Sequence, residues 1–405
     1  MLHLLEIQNF YSIRDLQVID LRAAAHAPAE SDRLARLWPG ASERVPKVVV
    51  LFGANAAGKS NVLKALSFIA WFIRNSFAAP PEKWLPYARF NDKVSRESPT
   101  RLGVHFVGPA DLLRPTDPKG PHCRYAYELV LGGPDGKSAQ ALTESLHYWP
   151  HDAGRRIRLF ERDEKGAVAA SKSFGLSGYR SALEKILRPT ASVVSTLTQL
   201  QHPLATLLYN RAGSIHSNLL IEKMELHEDV IARHYAAQPK QLEGLNRDIQ
   251  QFDLGVKRIV VQSGANGPFL SYDHRGLEGP LLSHVESHGT RSFVKIFPLL
   301  HQALEQGGVA VIDELDLAIH PLVLPELLRW FNDPKRNPLN AQLWMTCNNA
   351  SLLEELVKEE ILFCEKNDDG RTTVFGLRDV QSVRRNDNYY RKYLAGAYGA
   401  VPRVG

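Results

Sequence analysis

Apolar and polar positions along the 405-residue chain follow three rhythms. Val48 to Phe52 and Val309 to Ile312 are apolar without interruption, which predicts short strands buried on both faces, as in a parallel sheet. After Lys59, residues Val62, Leu63, Leu66, Ile69, Ala70 and Ile73 fall at helical spacing. A second helix is predicted through Phe293, Ile296, Leu299, Leu300 and Leu304. Residues 80 to 165 alternate in short runs ("RLGVHFVG", "YAYELVL", "SLHYWP") between Gly and Pro turns, the pattern of an antiparallel sheet. The opening MLHLLEIQNF also reads as a strand. From about 197 to 254 the signal is helical, with Leu242, Leu245, Ile249 and Phe252 on one face. It is too short and too poorly heptad-patterned for a coiled-coil arm. The expected division is an N-terminal lobe over 1–194, a compact helical insertion over 195–255 and a C-terminal lobe over 256–405. The last begins as strand at "GVKRIVVQ".

Composition narrows the class. Apolar residues at 44% and charged residues at 23% belong to a folded globular chain. A formal charge of +5 permits an acidic partner without demanding one. Cys123, Cys347 and Cys364 show neither metal-binding nor disulfide spacing, so a reducing cytoplasm is expected. No apolar run reaches membrane-spanning length, and the N-terminus lacks the order of a signal peptide. No membrane partner is expected.

The chemistry starts at "LFGANAAGKSN", residues 51 to 61. Gly53, Gly58, Lys59 and Ser60 meet the pattern G-x-x-x-x-G-K-[ST] in full. Glycines let the backbone turn and bring its N–H groups close to phosphate oxygens. Lys59 is expected to reach the β- and γ-phosphates of ATP, and the Ser60 hydroxyl to bind Mg²⁺. Ala54, Asn55, Ala56, Ala57 and Asn61 complete the cradle. The loop lies between a predicted strand and a helix start, where the backbone dipole favours anions.

The second half of the site is expected in "GGVAVIDELDLAIHP", residues 307 to 321. Its apolar strand ends in Asp313, placed to organise Mg²⁺, and Glu314, suited to polarise an attacking water. Residues 62 to 306 separate the two motifs, too many for one βαβ unit. Within them, Ser287 and Gly289 in "ESHGTRSFVKIF" precede the second predicted helix and offer another anion-binding start.

A phosphate loop, an S-x-G helix and an acidic strand, in that order, resemble the heads of ABC-type ATPases of the RecF/SMC/OLD-like branch. More narrowly, the chain resembles AAA-family ATP-binding proteins of prokaryotic abortive-infection and phage-defence operons, the RloA/AbiL-like group. The resemblance rests on "LLEIQNFYSIRDLQVIDL", the phosphate loop, "DELDLAIHP" and the C-terminal "NDNYYRKYLAGAYGAVP". It implies an α/β P-loop NTPase with an ABC-type head: a mixed sheet plus an antiparallel β subdomain and a helical insertion. It further implies a homodimer or higher homo-oligomer closed around ATP, with Ser287 and Gly289 capping the nucleotide of the opposite subunit.

This chain departs from that pattern after the acidic strand. Where the family carries a switch histidine, "QLWMTCNNASLLEEL" has Asn348, which donates a hydrogen bond but cannot carry a proton's charge. Slow hydrolysis is therefore expected. His320 fits the family's "lHP" and is a candidate for the dimer seam. Gln199 or Gln201 is the candidate Q-loop residue. "HEDVIARH" is not H-E-x-x-H and predicts no metal. The tail mixes Arg384, Arg385, Arg391, Lys392 and Arg403 with Tyr389, Tyr390, Tyr393 and Tyr398. That composition suits docking onto the head, and leaves nucleic acid as a candidate partner.

The function expected is a slow ATPase acting as sensor and scaffold for an operon-encoded effector, a nuclease or toxin, in antiviral defence. The alternative is a RecF/SMC-like DNA-binding ATPase of repair or recombination. A self-contained nuclease of the OLD type would need an acidic domain after the head, and only about 85 residues follow His320. A transporter subunit is disfavoured by the D-loop and the N-terminal strands.

Overall fold

The computed structural model describes residues 1–402 except 25–26, 28–30, 81–84, 118, 134–138, 151–153, 225, 251–254 and 321–322. Phe252, Pro321 and Arg403 therefore lie outside the described residues.

A six-stranded sheet forms the centre, in the order β11 (Ile215–Ser217), β15 (Val309–Ile312), β16 (Gln342–Thr346), β5 (Val48–Phe52), β17 (Ile361–Lys366), β18 (Thr372–Gly376). All neighbours are parallel except β17 and β18. The uninterrupted apolar runs have a simple cause: both faces of this sheet are covered. Val49 and Leu51 of β5 enter one core, while Val48, Val50 and Phe52 enter the other. Strand β15 splits the same way, Val309 and Val311 against Ala310 and Ile312.

Over the first face lies α1 (Lys59–Asn75), whose Val62, Leu63, Leu66, Phe68, Ile69 and Phe72 are at most 2% exposed. It is enclosed because a second sheet covers it. That sheet is antiparallel and seven-stranded, in the order β10 (Val168–Ala170), β9 (Ile157–Arg162), β8 (Gln140–Trp149), β7 (His122–Gly132), β6 (Thr100–Pro109), β1 (Leu2–Gln8), β2 (Gln17–Asp20). This is the antiparallel subdomain the alternating pattern predicts. A small hairpin of β3 (Leu34–Arg36) and β4 (Arg44–Pro46), and the short helix α2 (Lys93–Glu97), flank it.

Helices α3 (Arg180–Ile186), α4 (Val193–Gln199) and α5 (Pro203–Gly213) follow, and α4 and α5 pack on α1. Then α6 (Glu228–Ala237) and α7 (Pro239–Ile249) precede a three-stranded sheet of β12 (Val256–Gly264), β13 (Gly267–His274) and β14 (Leu281–Leu282). The second face carries α8 (His288–Gln306), α10 (Leu324–Asn332) and α11 (Tyr389–Leu394), with the single turn α9 (Leu315–Ala318) after β15. Within residues 195–255 the helices are interrupted by β11, which pairs with β15. Its three residues, Ile-His-Ser, carry no apolar run, so nothing local announces a strand there.

Three of the four tail tyrosines are structural. Tyr389, Tyr393 and Tyr398 are each 6% exposed, and Tyr393 stacks on Phe363 with centroids 5.3 Å apart. Arg385 pairs with Glu359. Among the described residues no helix is long and apolar enough to cross a membrane.

Candidate nucleotide-binding site

The phosphate loop leaves β5 and enters α1. Gly53 has φ +146° and Gly58 φ +101°, a region side chains rarely adopt. Space forbids a side chain as well: a Cβ on Gly53 would lie 2.2 Å from the Cys364 carbonyl oxygen, and one on Gly58 2.2 Å from Thr372 Oγ1. Thr372, from β18, donates to the Ala57 carbonyl at 2.8 Å and shares a 2.7 Å hydrogen bond with Ser12. Asn61 Nδ2 donates to Ser12 Oγ at 2.7 Å. The turn after β1 and strand β18 thus hold the loop from outside. Ala56 also takes a left-handed φ of 63°. Gly58 caps α1 with no side-chain acceptor, which leaves the first N–H groups directed at the loop's concavity.

Lys59 is 7% exposed, and its Nζ donates to the carbonyls of Gly53 at 2.8 Å and Ala54 at 3.0 Å. Burial lowers its pKa below the usual lysine range, partly offset by nearby acidic groups including Asp316 and Asp313. An ammonium ion so desolvated is a ready partner for phosphate oxygens.

The acid strand closes on this loop. Ser60 Oγ donates to Asp313 Oδ1 at 2.9 Å, and Thr346 Oγ1 donates to the same oxygen at 2.7 Å. The Glu314 amide donates to Thr346 Oγ1 at 2.7 Å. The side chain of Asn218 brackets Asp313, accepting from its N–H at 2.8 Å and donating to its carbonyl at 3.1 Å. Two motifs far apart in sequence therefore meet at one carboxylate. A serine hydroxyl and an aspartate offer hard oxygen donors, the kind Mg²⁺ takes in ones and twos beside phosphate and water. Among the described residues no group of three or more His, Cys, Asp or Glu side chains could hold a metal ion.

Glu314 stands apart from this network. Its backbone is left-handed (φ 53°, ψ 48°), a conformation that costs a non-glycine residue about 1–2 kcal/mol. Its half-exposed carboxylate pairs with Lys223 at 2.9 Å. Asp316, on the turn beyond, accepts from the amides of Asn348 at 2.8 Å and Asn349 at 3.0 Å. Asn348 is exposed just past β16, and His320 is exposed with its carbonyl accepting from Val323 and Leu324 at the start of α10.

Ser287 and Gly289 sit elsewhere. Ser287 is exposed and caps α8 by accepting from the Thr290 amide at 3.1 Å; among the described residues no hydrogen bond ties it to the phosphate loop. Helix α8 packs on β11, β15 and α9, so its N-terminal end reaches solvent from the acid-strand side of the sheet. Gln199 donates to Ser195 one turn back in its own helix, and Gln201 is an exposed left-handed residue. Neither approaches Asp313; Asn218 does. Ser12, Asn218, Lys223, Thr346 and Thr372 are the site neighbours that motif reading passes over. Only Thr346 carried a signal, as the last residue of the strand "QLWMT".

Residues 48–346 match the family model described as "AAA domain, putative AbiEii toxin, Type IV TA system". No curated protein matches the chain. Among solved structures, an SMC head bound to the C-terminal winged-helix domain of ScpA aligns at 14% identity and TM-score 0.44, covering 93% of this chain and 97% of that one. The SMC head domain from Thermotoga maritima aligns at 14% identity and TM-score 0.40, covering 93% and 98%. These likenesses are too distant to assign any residue a role.

Proposed function

The chain belongs to the AAA_21 family of ABC-like AAA ATPases of abortive-infection type, and from that premise we propose that it binds and slowly hydrolyses ATP as a homo-oligomeric switch for a partner effector. The observation that carries the reading is the convergence of Ser60 and Thr346 on the Asp313 carboxylate beside Lys59.

The proposed steps use this chain's own groups. The loop amides of residues 53–60 receive the phosphates, and Lys59 exchanges its carbonyl partners for phosphate oxygens. Ser60 and Asp313 would hold Mg²⁺, which supplies charge neutralisation at the transferring phosphate. Glu314 then accepts a proton from water as general base. Asn348, with no titratable ring, leaves that step slow. The proposed division is two ATPase lobes, residues 1–194 and 256–405, with residues 195–255 between them. Ser287 and Gly289 serve the nucleotide of a second subunit, and His320 lies near that seam.

An effector, a nuclease or toxin encoded nearby, fits a chain whose proposed chemistry stops at ATP. The buried Tyr389, Tyr393 and Tyr398 support docking of the tail onto the head. Three buried cysteines that form no disulfide suit a reducing cytoplasm.

The test is the solution mass of Glu314→Gln protein by light scattering, with and without Mg·ATP. Doubling or more only with ATP supports the reading. A monomer in both conditions overturns the shared site and leaves Ser287 a helix cap. Asn348→His should raise turnover; an unchanged rate counts against the account of slow hydrolysis.

A further inference from the structure

The structure assigns Lys223 as a latch on Glu314, a positioning residue that holds the proposed general base away from water until the latch opens. This rests on the reading of Glu314 given above.

Lys223 lies on a tight turn that follows β11. The Met224 amide donates to the Asn218 carbonyl at 2.6 Å, Leu219 and Lys223 pair across the turn, and the Leu220 amide donates to the Glu222 carbonyl at 3.1 Å. The base of the turn is tied to the acid strand twice. Asn218 continues the β11–β15 ladder through its own amide to Val311 at 3.2 Å, and its side chain brackets the Asp313 backbone. Turn and acid strand thus move as one piece at that end. From there Lys223 Nζ reaches Glu314 Oε2 at 2.9 Å.

The rest of the turn faces the phosphate-loop helix. Glu222 acts electrostatically on Lys64 of α1 and on Tyr11, and the Lys64 ammonium lies 4.6 Å from the Tyr11 ring centroid. Lys64 stands one helical turn beyond Ser60. The turn therefore bridges both halves of the site, with its acidic residue toward one and its basic residue toward the other.

Glu314 has few alternatives. Its left-handed backbone and the Thr346 hydrogen bond to its amide fix where the side chain starts. A carboxylate whose Oε2 is engaged by an ammonium ion is aimed at that ion and not at a water beside the phosphate. Both side chains are near 40% exposed (44% for Lys223, 40% for Glu314), so the pair is weak enough to break each cycle. At a preference of up to about fivefold for the paired state, it still holds most molecules latched.

The experiment is steady-state ATP hydrolysis by the full chain. Lys223→Ala and Lys223→Gln should raise kcat by up to about fivefold, the factor such a pair is worth, with KM for ATP unchanged. Lys223→Arg, which keeps the pair, should stay at the native rate. Glu314→Gln should abolish turnover. If Lys223→Ala and Lys223→Gln turn over no faster than native protein while Glu314→Gln is dead, the latch is overturned and the base stands. A Glu314→Gln chain that hydrolyses ATP normally removes the base, and the latch with it. A rise in kcat shared by Lys223→Arg would also overturn it, because the charge pair would not be the cause.

Discussion

The N-terminal end of α1 is surrounded by its own chain: Cys364 and Thr372 crowd its glycines, Ser12 and Asn61 lock its rim, and Asp313 closes over Ser60. The N-terminal end of α8 is nearly the reverse. Its first turn is satisfied by Ser287, its next residue His288 is exposed, and on its flank Arg291 pairs with Glu228 of α6 at 3.3 Å. At α1 the chain supplies walls and leaves the amides unclaimed, as a ligand site requires. At α8 it supplies the amide's partner and leaves Ser287 and His288 exposed. The contrast teaches that one helix end is prepared for something inside the molecule, and the other faces whatever comes to it from outside.

Removing the charge at the enclosed end should have the largest effect. Lys59→Ala is expected to weaken ATP binding by about 2–5 kcal/mol, measured by calorimetric titration. Affinity equal to the native chain's would remove the phosphate role of the loop. Gly58→Ala comes next, because a methyl group meets Thr372 Oγ1 and φ is +101°. It should lower stability by about 1–3 kcal/mol in urea unfolding, with ATP affinity falling as well.

A control lies below the loop. Glu360 is fully buried beside Arg33 at 2.7 Å, and burial pushes its carboxyl up to about 6 from an ordinary 4.5. The folded chain therefore holds this proton more tightly than the unfolded one. The cost is absent below pH 4.5, grows between pH 4.5 and 6, and is complete above. Across that window native protein should lose about 2 kcal/mol relative to Glu360→Gln, with ATP affinity in the variant unaltered. A constant gap would show that Arg33 fully compensates burial.

The smallest effect sharpens the comparison most. Ser287→Ala should cost about 1 kcal/mol of stability through the lost cap. It should leave ATP binding by one subunit intact and reduce ATP-driven association measured by light scattering. Unchanged association would reduce the outer end of α8 to a capped helix.

Legibility in the sequence followed the same line. Val48–Phe52 and Val309–Ile312 were readable because burial on both faces writes an unbroken apolar run. The phosphate loop was readable because backbone geometry at Gly53 and Gly58 tolerates only glycine. The alternation through 80–165 showed one face packed on α1. Asn218, Thr346 and Thr372 act through a single hydroxyl or amide each, on strands brought together only by the fold. Apart from Thr346, which ends the readable strand "QLWMT", no local pattern marks them. Strand β11 was missed because three residues, two of them polar, leave no rhythm to detect. Gln199 and Gln201 are candidates on chain order alone, whereas the parallel pairing of β11 with β15 brings Asn218 beside Asp313.

Strand β5 has a consequence for the chain as it is being made. Its two neighbours in the sheet, β16 and β17, come from residues 342–366, and the clamp on its loop comes from Thr372. At about 5–20 residues per second, the ribosome takes roughly 15–60 s to deliver them after β5 emerges. For that interval Val-Val-Val-Leu-Phe has neither of its strands to pair with. The most apolar strand of the ATP site is thus the one obliged to wait longest, and the nascent chain needs shelter there before it can hold a nucleotide.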